Sequence, residues 1–355
     1  MAADVDDFMA TMVAPSHPVP IERALVLVRD RYGFEVRAAR LTGERDENFR
    51  LTADDGAEYV LKIANPAENP AETDFQTAAL LHLEKTAPKL PCPRVVRERQ
   101  GGTHIRFVDE GVERTARLLT YLTGKLLGAA TRSQRQRAAC GRIGARLTLA
   151  LRGFEHPAAE RTIVWDVRHT GHMQRLLEEL PRFPYPQAAR ELLERLTPRI
   201  EAQLPRLRHQ VVHNDLNPLN ILVDPADEER VTGVIDFGDM TRTALIADVG
   251  VTAAELIPID CADPVKARES VLDVANAYHE CVPLLEMERA LLGALVAARL
   301  LMTLVIHEWH VQRNPASAHF RALEEDFMRA RLHIAERRAA DAHQHIDRHT
   351  FRVRI

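Results

Sequence analysis

The chain has 355 residues, 46% of them hydrophobic, enough for one large domain or two lobes with separate cores. Its formal net charge of −4 gives no reason to expect nucleic acid or another strongly charged partner. The four cysteines, Cys92, Cys140, Cys261 and Cys281, form no CxxC pair, which argues for reduced thiols and against a zinc site.

The N-terminus carries aspartates and no basic run ahead of an apolar one, so no secretory signal is expected there. "IERALVLVRDRYG" has helical periodicity and a glycine stop. "FEVRAARLT", "ENFRLTA" and "EYVLKIA" alternate like strands and are separated by the turns "GERD" and "DDG". A helical stretch, "AETDFQTAALLHLEK", comes next, followed by strands in "GTHIRFVD" and "ERTARLLTYL". From about residue 133 onward the period is almost wholly helical, apart from two strand-like segments around "VVHNDLNPLNILVD". The reading is α+β: a sheet-rich N-terminal lobe over 1–121 and a larger helical lobe over 122–355. The apolar run from Ala290 to Ile306 contains Arg299 and falls short of the ~20 residues needed to span a bilayer, so a buried helix is expected. A cytoplasmic protein with no membrane or nucleic-acid partner is expected. The polar tail after Ala335 is expected to be loosely held, and its His343, His345 and His349 to be solvated rather than metal-bound.

Chemistry concentrates in "HNDLNPLN", where His213, Asn214, Asp215, Asn217 and Asn220 interrupt an apolar, β-branched run. A second apolar run ends in "DFGD", which carries Asp236 and Asp239. Phosphoryl transfer needs a carboxylate to accept a hydroxyl proton and hard oxygen ligands to hold Mg²⁺ against nucleotide phosphates. Asp215 meets the first need; Asn220 and Asp236 meet the second. The order H-x-D-x-x-x-x-N then D-F-G is the protein-kinase pattern, and ordinary polar turns reproduce it only rarely. Lys62 sits in a strand between Leu61 and Ile63, where an ammonium can reach α- and β-phosphates. Gly43, with Asn48 nearby, lies at the turn between the first two strands, where backbone N–H groups can approach phosphate; a plain hairpin looks the same. Thr120, Tyr121 and Leu122 stand at the lobe junction, where backbone groups can meet a purine edge. Val60, Leu222 and Ile235 are candidates to sandwich the base, or plain core.

With these motifs in place the sequence resembles the aminoglycoside phosphotransferase and choline kinase superfamily over roughly residues 20–335. Within it the chain is most similar to the hydroxylysine kinase group, through "LTGERDENFRL", "YVLKIAN", "DFQTAALLHL", "LLTYLTG", "GFEHPAAERTIVWD", "HNDLNPLNILV" and "GVIDFGDM". The resemblance implies a protein-kinase-like two-lobed fold with a small antiparallel sheet and a larger helical lobe. It implies Asp215 as catalytic base, Asn220 and Asp236 on Mg²⁺, Lys62 on the phosphates, and His213 organising the loop. The implied reaction carries the γ-phosphoryl group of ATP or GTP to a small-molecule hydroxyl acceptor, 5-hydroxylysine first. Homoserine, choline, ethanolamine or an aminoglycoside are the alternatives within the same superfamily. A protein kinase is disfavoured because no APE motif follows "DFG". A regulator without catalysis is disfavoured because every chemical residue is present.

One departure stands out. Where kinase folds place a glutamate to pair with the strand lysine, this chain has Gln76, with Asp74 and Glu72 nearby. On the acceptor side, Asp166 or Asp239 are candidates for an ammonium and Arg299 for a carboxylate. Their bland counterparts are a helix N-cap, a loop brace and a core ion pair. Trp165 is expected to pack.

Overall fold

The computed structural model describes residues 17–41, 43, 46–313 and 323–341. The N-terminal signal question and the tail histidines lie outside the described residues. The chain divides into two compact units: Met1–Thr123 with His156–Ala158, and Gly124–Glu155 with Ala159–Ile355.

In the first unit a helix, α1 (Ile21–Tyr32), precedes three strands, β1 (Val36–Leu41), β2 (Glu47–Ala53) and β3 (Glu58–Ile63). Helix α2 (Pro70–Thr86) follows, then β4 (Val95–Val96), β5 (Ile105–Asp109) and β6 (Val112–Thr120). The sheet is antiparallel in the order β1-β2-β3-β6-β4, with β5 also paired to β6. The two-residue period of the strands does the sorting. Phe49 and Leu51 of β2, Leu61 and Ile63 of β3, and Ala116 and Leu118 of β6 are buried in one core with Ala24, Leu27 and Val28 of α1. Each large side chain buried there is worth roughly 1.5–3 kcal/mol. The same period turns Lys62 to the other face, opposite Asn48 on β2 and Arg117 on β6. Sequence pattern therefore aims the lysine.

The second unit opens with β7 (Lys125–Leu126) and α3 (Gln134–Ala150), whose N-cap Ser133 accepts from Gln136 N. A 3₁₀ helix over Val167–His172 leads into α4 (Met173–Glu178) and α5 (Pro186–Gln203). Four strands frame the polar motifs: β8 (His209–Val212), β9 (Ile221–Val223), β10 (Val231–Val234) and β11 (Thr241–Ala244). Helices α6 (Leu245–Glu255), α7 (Pro264–Cys281), α8 (Glu286–Arg313) and α9 (Glu325–Asp341) complete the unit. β8 pairs with β11, and β9 lies between β10 and β7. The sequence pattern expects two strand-like segments around the motif; the structure has four strands here, β7 being only two residues long. The tail also departs from expectation, because α9 continues past Ala335 to Asp341.

Helix α8 carries the apolar run. It is long and apolar enough to cross a bilayer by composition, yet 83% of its apolar window is buried within the fold. Gly250 of α6 lets α8 come close: a Cβ there would stand 2.8 Å from Leu295 Cβ. About one turn further along each helix, the same crossing brings Glu255 to Arg299.

Candidate active site

The loop between β8 and β9 is built around Asp215. Its Oδ2 accepts from Asn217 Nδ2 at 2.8 Å and from Asn220 Nδ2 at 2.7 Å. Its Oδ1 accepts from Arg299 Nη2 at 3.0 Å. Burial pushes the Asp215 carboxyl well up; Arg299 pulls it down, while the charges of Asp239 and Glu255 add to the rise. The Asp215 side chain keeps 15% of its surface exposed, so the carboxylate is held firmly and still reachable.

His213 ties this loop to the next. Its Nε2 donates to Ile235 O at 3.1 Å and its Nδ1 accepts from Asp215 N at 3.3 Å. Both ring nitrogens are thus used by the neutral form. Burial drives the His213 pKa down to about 4, against the charge of Asp236, the Ile235 carbonyl and Asp239. Phe237 packs edge-on against the ring at 4.9 Å. Asn220 O accepts from Ile235 N at 2.9 Å, so Ile235 is gripped on both sides just before Asp236.

Two residues here hold left-handed backbone: Asn214 at φ 65° and Asp236 at φ 59°. Asn and Asp tolerate that region better than other side chains. The first is supported from α6, where buried Asp248 accepts from Asn214 N at 2.7 Å. Burial raises Asp248 to about 6, opposed by that N–H. Sequence reasoning passed over Asp248; a lone acid in the apolar "LIADVGV" was its signal. Asp236 itself is exposed, and its Oδ1 accepts from Gly238 N at 3.1 Å. Arg161 anchors the same loop through Gly238 O, and through Met240 O at 3.0 Å.

The donor set suits Mg²⁺. Asn220 Nδ2 gives its hydrogens to Asp215 O and Oδ2, which leaves Asn220 Oδ1 as the amide's hard oxygen. Asp236 supplies a carboxylate one residue beyond the gripped Ile235. Among the described residues no group of three or more His, Cys, Asp or Glu forms a separate metal cluster.

Three expectations change. Asp166 is fully buried and caps the 3₁₀ helix, accepting from Arg168 N at 2.9 Å and Arg168 Nε at 2.7 Å; this is its bland reading, because a carboxylate spent there has no face for a ligand. Arg299 does not present an open guanidinium. It is 3% exposed, donates to Glu255 Oε1 at 2.8 Å, Trp165 O at 3.2 Å and Asp215, and lies 4.7 Å over the Trp165 ring. Asp239 is half-buried, close enough for its charge to act on Asp215.

The third change concerns the first unit. Gln76 is buried, and its Oε1 accepts from Arg117 Nη2 rather than from Lys62. Asp74 meets His156 at 3.2 Å. Lys62 Nζ instead lies 3.8 Å from Asp46 Oδ2, an acid that sequence reasoning did not consider. Asp46 also turns toward Gly43, where a Cβ would fall 2.4 Å from Asp46 O and 2.5 Å from Asn48 Nδ2, so only glycine fits. Val60 is on β3 of this unit, while Leu222 and Ile235 belong to the second. Thr120 N donates to Arg94 O and Tyr121 N to Glu58 O, so of the three junction residues Leu122 alone retains an unengaged N–H among the described residues.

An antiparallel sheet unit and a helical unit with a Asp–Asn–Asp polar centre define a kinase-like phosphotransferase. The pattern of the phosphotransferase enzyme family (APH) matches residues 37–284, and the chain belongs to that family. Among curated proteins it is similar to hydroxylysine kinase from Mus musculus, 26% identical over 332 residues, covering 86% of this chain and 87% of that one. Hydroxylysine kinase from Danio rerio is also 26% identical, covering 83% and 85%. Among solved structures, an amicoumacin kinase in complex with AMP-PNP, Ca²⁺ and Ami shares the fold with a TM-score of 0.67 at 14% identity, over 91% of this chain and 94% of that one. A microcompartment-associated aminopropanol kinase has a TM-score of 0.62 at 19% identity, over 94% and 99%.

Proposed function

We propose that this phosphotransferase moves the γ-phosphoryl group of ATP or GTP to the hydroxyl of an amino alcohol, with 5-hydroxylysine as the first acceptor. The observation that carries the reading is the Asp215 carboxylate, fixed by Asn217, Asn220 and Arg299 and still partly exposed. The acceptor is proposed from the similarity to two hydroxylysine kinases over most of both chains.

Asp215 takes the acceptor's hydroxyl proton as its oxygen bonds to the γ-phosphorus and the bond to the β–γ bridging oxygen breaks. The nucleoside diphosphate leaves with that oxygen. Asn220 and Asp236 hold Mg²⁺, which when bound neutralises charge on the phosphates. Lys62 adds a cation for the phosphates, and Gly43 with Asn48 admits them to the β1–β2 turn. Val60, Leu222 and Ile235 supply apolar surface for the base, and Leu122 N–H a hydrogen bond to its edge. Asp239 is the acid assigned to the acceptor's ammonium.

The test is an acceptor panel of 5-hydroxylysine, homoserine, choline, ethanolamine and kanamycin, each with ATP and GTP, read by nucleoside diphosphate release. Highest kcat/KM on hydroxylysine supports the full reading. Preference for another acceptor keeps the kinase and moves its substrate, and no transfer to any of them refutes the reading.

A further inference from the structure

The contacts of Asp215 are unequal at its two oxygens. Oδ2 receives two amide donors, one for each lone pair, from Asn217 and Asn220. Oδ1 receives a single N–H, from Arg299 Nη2 at 3.0 Å, and keeps one lone pair. The oxygen that can take a proton is therefore the one that Arg299 holds. Arg299 comes from α8, 84 residues away in sequence, and is itself fixed on several sides. Glu255 Oε1 accepts from its Nε, Trp165 O accepts from its Nη1, and the Trp165 ring lies beneath its guanidinium. Thr303 Oγ1, one turn along α8, lies 3.2 Å from Glu255 Oε1 and 2.9 Å from Arg299 O, so its single proton is shared between these two acceptors.

We infer that Arg299, braced by Glu255, is a positioning residue for phosphoryl transfer: it sets the rotation of the Asp215 carboxylate and thereby makes Oδ1 the proton-accepting oxygen. The inference rests on the proposed role of Asp215 as base. A guanidinium suits this task because its planar fork reaches two carboxylates in fixed directions while stacking on an aromatic ring, which an ammonium cannot do. Since its charge is shared between two acids of the chain, Arg299 is not the group that grips an acceptor's carboxylate. Acceptor choice should therefore be indifferent to it.

The experiment compares wild type with Arg299→Ala, Arg299→Lys and Glu255→Gln, measuring kcat and KM for hydroxylysine and for ethanolamine, and nucleotide affinity by calorimetry. A positioning role predicts that Arg299→Ala lowers kcat on the order of a hundredfold with both acceptors, while KM and nucleotide affinity move by less than about threefold. Arg299→Lys should lie between, and added guanidinium should restore part of the Arg299→Ala rate but none of the Arg299→Lys rate. Glu255→Gln keeps an oxygen for Arg299 Nε and should lose less, roughly three- to tenfold in kcat. If Arg299→Ala fails to fold, the other two variants decide, because they keep the site filled. A kcat near wild type in both overturns the inference. So does a rise in KM confined to hydroxylysine, which would make Arg299 a substrate ligand. Absence of transfer by the wild type is a different result: it overturns the kinase reading, and this inference with it.

Discussion

Replacing Asp215 with Asn is the sharpest perturbation, because the surroundings dictate how the new side chain must sit. Asn217 and Asn220 both donate to Oδ2, so the substituted amide has to present its oxygen to them. Its NH₂ then faces Arg299 Nη2, donor against donor, where Oδ1 had been. The one lone pair open to a hydroxyl proton disappears. A positioned general base contributes about 10²–10⁴ in rate, which is roughly 2.7–5.4 kcal/mol at 1.36 kcal/mol per decade. Stability should change far less, since losing the Arg299 contact is offset by no longer desolvating a carboxylate. We expect kcat to fall by about a hundredfold or more, with nucleotide affinity and melting temperature close to wild type. The assay is nucleoside diphosphate release at saturating acceptor, with calorimetry for nucleotide and thermal unfolding as the fold control. A kcat within about tenfold of wild type in a folded variant would refute the assignment of Asp215 as base.

Asp236→Ala should abolish Mg²⁺-supported nucleotide binding in a folded protein; calorimetry showing equal affinity with and without the substitution would count against the ligand assignment. Asp248→Asn probes the brace beneath Asn214. Its pKa rises from 3.8 to about 6 in the folded chain, so its contribution is full below pH 3.8 and is lost as pH climbs through 6. The asparagine can still accept from Asn214 N but does not titrate, so relative to wild type it should gain up to about 3 kcal/mol between pH 4 and pH 7. Urea midpoints at the two pH values check this, and a difference independent of pH would contradict it. Gln76→Ala strands the buried Arg117 and should cost about 1–3 kcal/mol of stability while kcat per folded molecule holds. A large loss of kcat at unchanged stability would return Gln76 to Lys62.

Much of this protein is legible in one dimension. Strand alternation in "ENFRLTA" and "EYVLKIA" puts Phe49, Leu51, Leu61 and Ile63 in the core and turns Lys62 away from it, because side chains on a strand can only alternate. The spacing from His213 to Asn220 places the polar cluster in one loop, since its members are near neighbours along the chain. The partners of that loop were not legible. Arg299 reaches Asp215, and Glu255 reaches Arg299, from helices whose crossing depends on Gly250, and Asp248 meets Asn214 across 34 residues. Lys62 stands near Asp46 rather than Gln76 for a similar reason: the buried Arg117, brought across the sheet by β6, takes the glutamine's oxygen. A period in sequence fixes which way a side chain faces. Which buried charge it meets depends on how separate elements pack, and there the cost of leaving an ion or a donor unpaired selects among partners that no local pattern brings together.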